Sequence, residues 1–247
     1  MTLAILGRET WGQFIGVWRT PEFALPTLLF PAMFYVFFGL IFTMSRSIHM
    51  PTWLLATYGV FGIMGPALFG FGIGIAVEKG EGWLRLKRVA PVSPYVPLLA
   101  RTAMAMLFAL IVFVILATLG ALFGDVRMPR ADWLLLAVTL TVGAIPFCAM
   151  GLAAGLWLSP QAAPAVMNIV YLPLAFLSGL WIPLVAFPDW LQAFAVALPP
   201  YHLAAIALDV VGAQPADGVL VHVAVLAAFT VVFLAVAAVG WRRVQEA

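Results

Sequence analysis

Charge is sparse in this sequence. Its 247 residues carry 12 Lys and Arg against 10 Asp and Glu, 9% of the chain, while 65% are hydrophobic. So little polar surface cannot solvate a globular domain of this length, which excludes a water-soluble fold and implies an all-α integral membrane protein. Cysteine is scarcer still. Cys148 stands alone in an apolar run, so no intramolecular disulfide forms and a buried core thiol is expected. His49, His202 and His222 show no metal-ligand spacing. His49 and His202 are expected near the outer surface, and His222 in a hydrogen-bonded structural role at the start of the last span. No Gly-x-x-x-x-Gly-Lys-Ser/Thr pattern occurs, so the chain holds no cofactor or nucleotide of its own, and no metal or nucleic-acid partner is expected. Gly70, Gly72 and Gly74 lie in an apolar span without the preceding strand a dinucleotide site needs. Close helix packing accounts for Gly59, Gly62, Gly65, Gly70 and Gly74 more simply.

What is abundant is uncharged length. A hydrocarbon core of about 30 Å needs roughly 20 apolar residues in a helix, and six runs qualify: 23–45, 53–77, 102–123, 133–158, 162–187 and 219–241. The fourth and fifth belong to one charge-free stretch that must fold back, and Ser159, Pro160 and Pro164 mark the hairpin. A further apolar segment, 190–208, is interrupted by Pro199 and Pro200 and carries Gln192 and His202. It reads as a re-entrant or interfacial helical pair within an outer segment, 186–218, between spans five and six. With the N-terminus inside, Arg8, Arg19, Lys79, Arg85, Lys87, Arg88, Arg101, Arg242 and Arg243 fall on the cytoplasmic side, and Arg46, Arg127 and Arg130 outside. Nine against three obeys the positive-inside bias, and a seventh span would throw Arg242 and Arg243 to the wrong side. The expectation is one domain, 1–247, with six spans and both termini cytoplasmic.

The first 20 residues lack a signal-peptide layout, since the short apolar start meets Arg8 and Glu9 at once. At 100° per residue, Leu3, Leu6, Trp11, Phe14, Ile15, Val17 and Trp18 gather on one half, with Arg8, Arg19, Glu9 and Gln13 opposite and Ile5 misplaced. Residues 1–20 therefore read as an amphipathic helix lying in the inner headgroup layer.

One polar island, 78–101, holds five of the twelve basic residues. Its run Glu78-Lys79-Gly80-Glu81-Gly82-Trp83-Leu84-Arg85-Leu86-Lys87-Arg88-Val89-Ala90-Pro91-Val92-Ser93 resembles the cytoplasmic loop of type 2 ABC exporter permeases. Leu177-Ser178-Gly179-Leu180-Trp181-Ile182-Pro183-Leu184, then Phe187-Pro188-Asp189-Trp190-Leu191-Gln192 and Leu198-Pro199-Pro200-Tyr201-His202, is similar to that family's signature around its fifth span. Trp83 departs from the pattern, where a small hydroxylated residue is commoner. The resemblance implies a dimer of permeases in the bacterial inner membrane, homodimeric or heterodimeric. It also implies that each is docked on a cytoplasmic ABC ATPase subunit that binds ATP and Mg. The island would then be the coupling helix, with Glu78, Trp83, Leu84, Arg85, Lys87 and Arg88 meeting the ATPase: charges for register, apolar residues for contact area. A solvated loop that binds anionic lipid headgroups is the plainer alternative.

No Asp, Glu, Lys or Arg falls mid-span, which disfavours an ion-coupled carrier or channel. Phe34, Tyr35, Phe37 and Phe38 in the first span and Met167, Asn168, Tyr171 and Phe176 in the fifth are candidates for lining a route between protomers. The cargo expected there is apolar, amphipathic or glycan-like. Asn168 is a lone amide that wants a partner across the dimer or in the cargo. Trp181, Pro183, Trp190, Tyr201 and His202 would shape an outer gate. A six-span intramembrane serine protease built on Ser178 and His222 is disfavoured, because Ser178 lacks the Gly-x-Ser-Gly context and no oxyanion donor is evident.

Overall fold

The computed structural model describes residues 2–42, 49–84 and 95–246, and every regular element among them is helical. Helix α1 is Thr2–Trp18. Helix α2, Pro21–Phe34, continues as a π-helix over Tyr35–Ile41. Pro26 and Pro31 lie inside α2 and remove two donors from its hydrogen-bond ladder. Beyond them the spacing widens to i→i+5, closed by Phe42 N–H on the Phe37 carbonyl at 2.7 Å. Helix α3, Met50–Gly80, and helix α4, Tyr95–Phe123, follow. Next come α5, Arg130–Val142, and α6, Ile145–Trp157, separated where Pro146 cannot donate to the preceding turn.

Helix α7, Ala163–Leu177, is shorter than the expected run 162–187. Gly179 adopts a left-handed φ of +74°, and Leu180 N–H reaches back to the Ala175 carbonyl at 3.2 Å. That closure satisfies the last carbonyls and stops the helix, as glycine in this conformation commonly does. A 3-10 turn, Leu184–Ala186, leads to α8, Asp189–Ala195, and α9, Pro199–Val210, which meet at 89°. The broken pair expected between spans five and six is therefore present. Helix α10, Val219–Glu246, closes the chain.

Five helical stretches are long and apolar enough to cross a membrane: Ala24–Ile41, Met50–Gly80, Tyr95–Phe123, Arg130–Trp157 and Val219–Val244. With 15 residues, α7 spans only about 22 Å. The ends of the helices establish its direction. Arg243 lies over the Trp157 ring at 4.3 Å, so α6 and α10 finish together. His202 and His222 bond to each other, so α10 starts beside α9 at the opposite end. Between them α7 runs antiparallel to α3, with Met167 beside Gly72 and the Tyr171 hydroxyl donating to the Phe61 carbonyl at 3.1 Å. Helix α7 is thus a short apolar helix lying along α3, and the bent pair α8 and α9, counted as one broken span, would bring the long apolar stretches from five to six.

Helix α3 forms the centre. It is apolar all round and buried from Trp53 to Leu68, as a helix enclosed by others must be. It packs on α2, α4, α5, α6, α7 and α9. The seam with α6 is backbone on backbone: an added Cβ at Gly155 would meet the Gly72 carbonyl oxygen at 2.7 Å and Ile75 Cβ at 2.8 Å. Of the glycines assigned to close packing, Gly59 and Gly62 sit against Leu140 and Val112, whereas Gly65 and Gly70 have ordinary room.

Helix α1 packs on α4 and α2. Phe14 packs on Phe108 with ring centroids 5.2 Å apart, and Gln13, placed by periodicity on the polar half, donates to the Pro97 carbonyl at 3.3 Å. Trp11 and Trp18 remain exposed. A Gly155→Val substitution is expected to cost about 3 kcal/mol or more, read as a lowered Tm in detergent. Gly12→Ala, with nothing within 4 Å of the new Cβ, should be neutral or stabilising by up to about 1 kcal/mol.

Candidate functional site

Three groups of residues converge from different elements. The first sits at the end of α3. Glu78 Oε1 accepts from Arg101 Nη2 at 2.6 Å, with side chains 20% and 11% exposed, so α3 is clamped to the start of α4. Such a pair is charge-assisted and largely removed from water, and losing either partner would strand the other. Arg101 Nη1 has no hydrogen-bond partner among the described residues. Lys79, one position on, faces another neighbour: its Nζ donates to the carbonyls of Leu156 and Leu158, both at 2.7 Å. Gly82 then takes a φ of +78° and turns the chain out of α3. Trp83 emerges exposed, while Leu84 folds back into the core.

Of the six island residues assigned to partner docking, Glu78 is therefore committed to an internal clamp and Leu84 to the core. Trp83 is left as an exposed contact. Arg85, Lys87 and Arg88 lie outside the described residues. The island's limits also sharpen, since 78–80 is helical and continuous with α3, and 95–101 forms the first turns of α4.

The second group is aromatic. Phe34 stacks on Trp181 at 5.7 Å and on Phe38 at 5.9 Å, and Trp181 stands edge-on to Phe61 at 5.5 Å. Tyr171 stacks on Phe61 at 5.0 Å, and Phe176 meets both Trp181 and Phe187. Offset and edge-on rings at these distances attract beyond their buried area. Trp181, grouped by sequence with an outer gate, thus joins the residues assigned to the cargo route. Phe61 lies 11 residues into α3, about 16 Å from its start, which puts this cluster inside the span. Phe37, Phe38 and Phe176 present exposed faces. Tyr35 does not: it is fully buried, and its hydroxyl donates to the Pro51 carbonyl at 3.1 Å, joining α2 to the start of α3. Met167 is likewise buried. Asn168 is exposed beside Ile169 and Leu172, with Nδ2 on the Pro164 carbonyl at 3.0 Å, so one amide hydrogen has a partner within α7.

The third group links α9 to α10. His202 Nε2 lies 2.8 Å from the Val196 carbonyl, and the two Nδ1 atoms of His202 and His222 are 2.8 Å apart. A carbonyl only accepts, so His202 carries its proton on Nε2 and accepts at Nδ1 from His222 Nδ1–H. Both are buried, with Tyr201 edge-on to each ring. Spacing gave no sign of this pairing across 20 residues. The sharp break at Pro199 and Pro200 brings it about. Pro183 opens the 3-10 turn, and Trp190 stands exposed on α8, apart from Tyr201 and His202. The expected gate residues thus fall into separate places. Ser178 Oγ is buried with no hydrogen-bond partner among the described residues, and His222 bonds to His202. Among the described residues no cluster of His, Cys, Asp or Glu could hold a metal ion.

These features define a multi-pass helical membrane protein with one charge-clamped end and an aromatic layer within its spans. Over residues 7–211 the chain matches the ABC-2 type transporter family, and it belongs to that family. It is also similar to the Bacillus subtilis (strain 168) protein named "Putative transport permease YvfS", with 27% identity over 250 residues covering 98% of this chain and 99% of that one. The chain is accordingly a transporter permease subunit, of a family whose members generally work with an ATPase subunit and as dimers.

Replacing His222 by Leu leaves the buried Nδ1 of His202 without its donor, at an expected cost of about 1–3 kcal/mol. Thermal unfolding of the purified protein in detergent should register this as a lowered Tm.

Proposed function

We propose that this protein is the membrane-spanning permease of an ATP-driven exporter in a bacterial inner membrane. Both termini and the island 78–101 face the cytoplasm, and ATP and Mg bind on a separate ABC ATPase subunit. The observation that carries the reading is the clamped end of α3. Glu78 is locked to Arg101, Lys79 to the end of α6, and Leu84 is buried, so the described residues at the two ends of the island are held fast. A docking element needs that stiffness, because a floppy contact would absorb a partner's motion instead of passing it on. Trp83 is exposed, and the sequence that follows it brings Arg85, Lys87 and Arg88, a composition that suits an interface with an aromatic anchor and charged groups. Arg19, Lys79, Arg101, Arg242 and Arg243 follow the positive-inside bias at this end, which supports the cytoplasmic assignment.

The cargo is apolar, amphipathic or glycan-like and passes between two permease copies, identical or not. Exposed faces of Phe37, Phe38, Asn168, Leu172 and Phe176 on the π-helix and α7 support that route. Rings offer stacking surface to lipids and sugars alike, and Asn168 adds one polar handle. The 186–218 segment, bent at Pro199, closes the outer side.

Reversing charge at Arg85, Lys87 and Arg88 together is expected to lower co-purification of the ATPase more than about tenfold, a loss of some 1.4 kcal/mol or more. Membrane insertion should be unchanged. Normal co-purification of the triple variant would refute the docking assignment.

A further inference from the structure

Lys79 makes contacts that the docking reading does not require. Helix α6 ends at Trp157 with no basic residue in its own last turn. Its final carbonyls have no intrahelical donor, and a cation there is favoured by the helix dipole. Lys79 supplies that cation from another helix, with Nζ 2.7 Å from both the Leu156 and Leu158 carbonyls. Next to it Gly80 abuts the Pro160 ring so closely that no Cβ would fit. The turn they hold leads directly into α7, whose start is braced by Ala162 N–H on Ser159 Oγ at 3.3 Å. Meanwhile Glu78, about 100° around the helix from Lys79, binds α4 through Arg101. Two consecutive residues therefore tie the end of α3 to two different helices.

The geometry points to Lys79 as a positioning residue that carries movement of the island into the α6–α7 turn and so into α7, the helix bearing Asn168 and Phe176. This inference rests on the reading that the island receives an ATPase. Displacement at the end of α3 cannot be taken up locally, because the Lys79 bonds and the Gly80 contact leave the turn no independent position. The backbone seam of Gly155 against Gly72 stiffens the same pair of helices further inward.

The test uses the full-length permease with its ATPase partner in lipid nanodiscs, in a Cys148→Ala background. Spin-label pairs join exposed Arg127, as reference, to Glu81 and separately to Gln161. On adding Mg-ATP, both distances should change in the otherwise unaltered protein. In Lys79→Met the Gln161 change should shrink about threefold or more while the Glu81 change persists. Lys79→Arg, which keeps a cationic donor for the same carbonyls, should restore it. Should Lys79→Met fail to insert, Lys79→Gln, which keeps one donor group, serves with the same expected direction. An undiminished Gln161 response in the variant overturns the inference. Absence of any ATP response at Glu81 in the unaltered protein overturns the docking reading itself, and the inference with it.

Discussion

Lipid offers the backbone no hydrogen bonds, so each span must satisfy itself and can gain stability only by packing against its neighbours. Helix α3 is where this chain meets that constraint. Buried from Trp53 to Leu68, it has no lipid face over that stretch, and α2, α4, α5, α6, α7 and α9 are arranged around it. The glycines of α6 follow, because only a bare backbone lets Gly151 and Gly155 approach the α3 carbonyls. So does the burial of Tyr35, whose hydroxyl finds the Pro51 carbonyl and joins the first span to the start of α3. Helix α10 is the opposite case: it touches α6 and α9 on one side and exposes Leu220, Val231, Val232 and Leu234 on the others.

Scarcity makes the remaining charges specific. Where so few ionic groups exist, each one near the apolar body needs a defined partner, since an unpaired buried charge is costly. Arg101 has Glu78, Lys79 has two helix-terminal carbonyls, and Arg243 has the face of Trp157. All three lie at one end of the bundle; the first joins consecutive helices, and the other two join helices distant in sequence. The same groups that would orient the protein by the positive-inside bias also cross-link its end.

Inside the spans aromatic rings take over the role of adhesive. Phe34, Phe61, Tyr171, Phe176 and Trp181 connect α2, α3, α7 and the chain beyond α7 in one layer. Offset and edge-on rings at these distances attract one another beyond their buried area. The histidine pair beyond it is different in kind. Its two hydrogen bonds are directional, one buried and one partly buried, so the junction of α9 with α10 has one preferred geometry.

The amino-acid sequence alone determined the class of the protein, the number and order of its long apolar runs, the hairpin at Pro160, and the break at Pro199. These depend on composition and on backbone chemistry that acts within a few residues: charge-free length, and proline's missing donor. The early stop of α7 was legible too, in Gly179 followed by Pro183, although hydropathy carried the expected run ten residues further. Tertiary structure alone decided which residues face one another. Periodicity could place Tyr35, Leu84 and Trp181 on apolar faces, yet in a membrane chain apolar faces point to lipid, core and partner alike. Only packing sent Leu84 inward, Trp83 outward and Trp181 to Phe34. The Lys79 contacts and the His202–His222 pair join residues 77, 79 and 20 positions apart. Contacts of that kind arise when helices settle against each other, a process governed by shape over the whole bundle rather than by any local pattern.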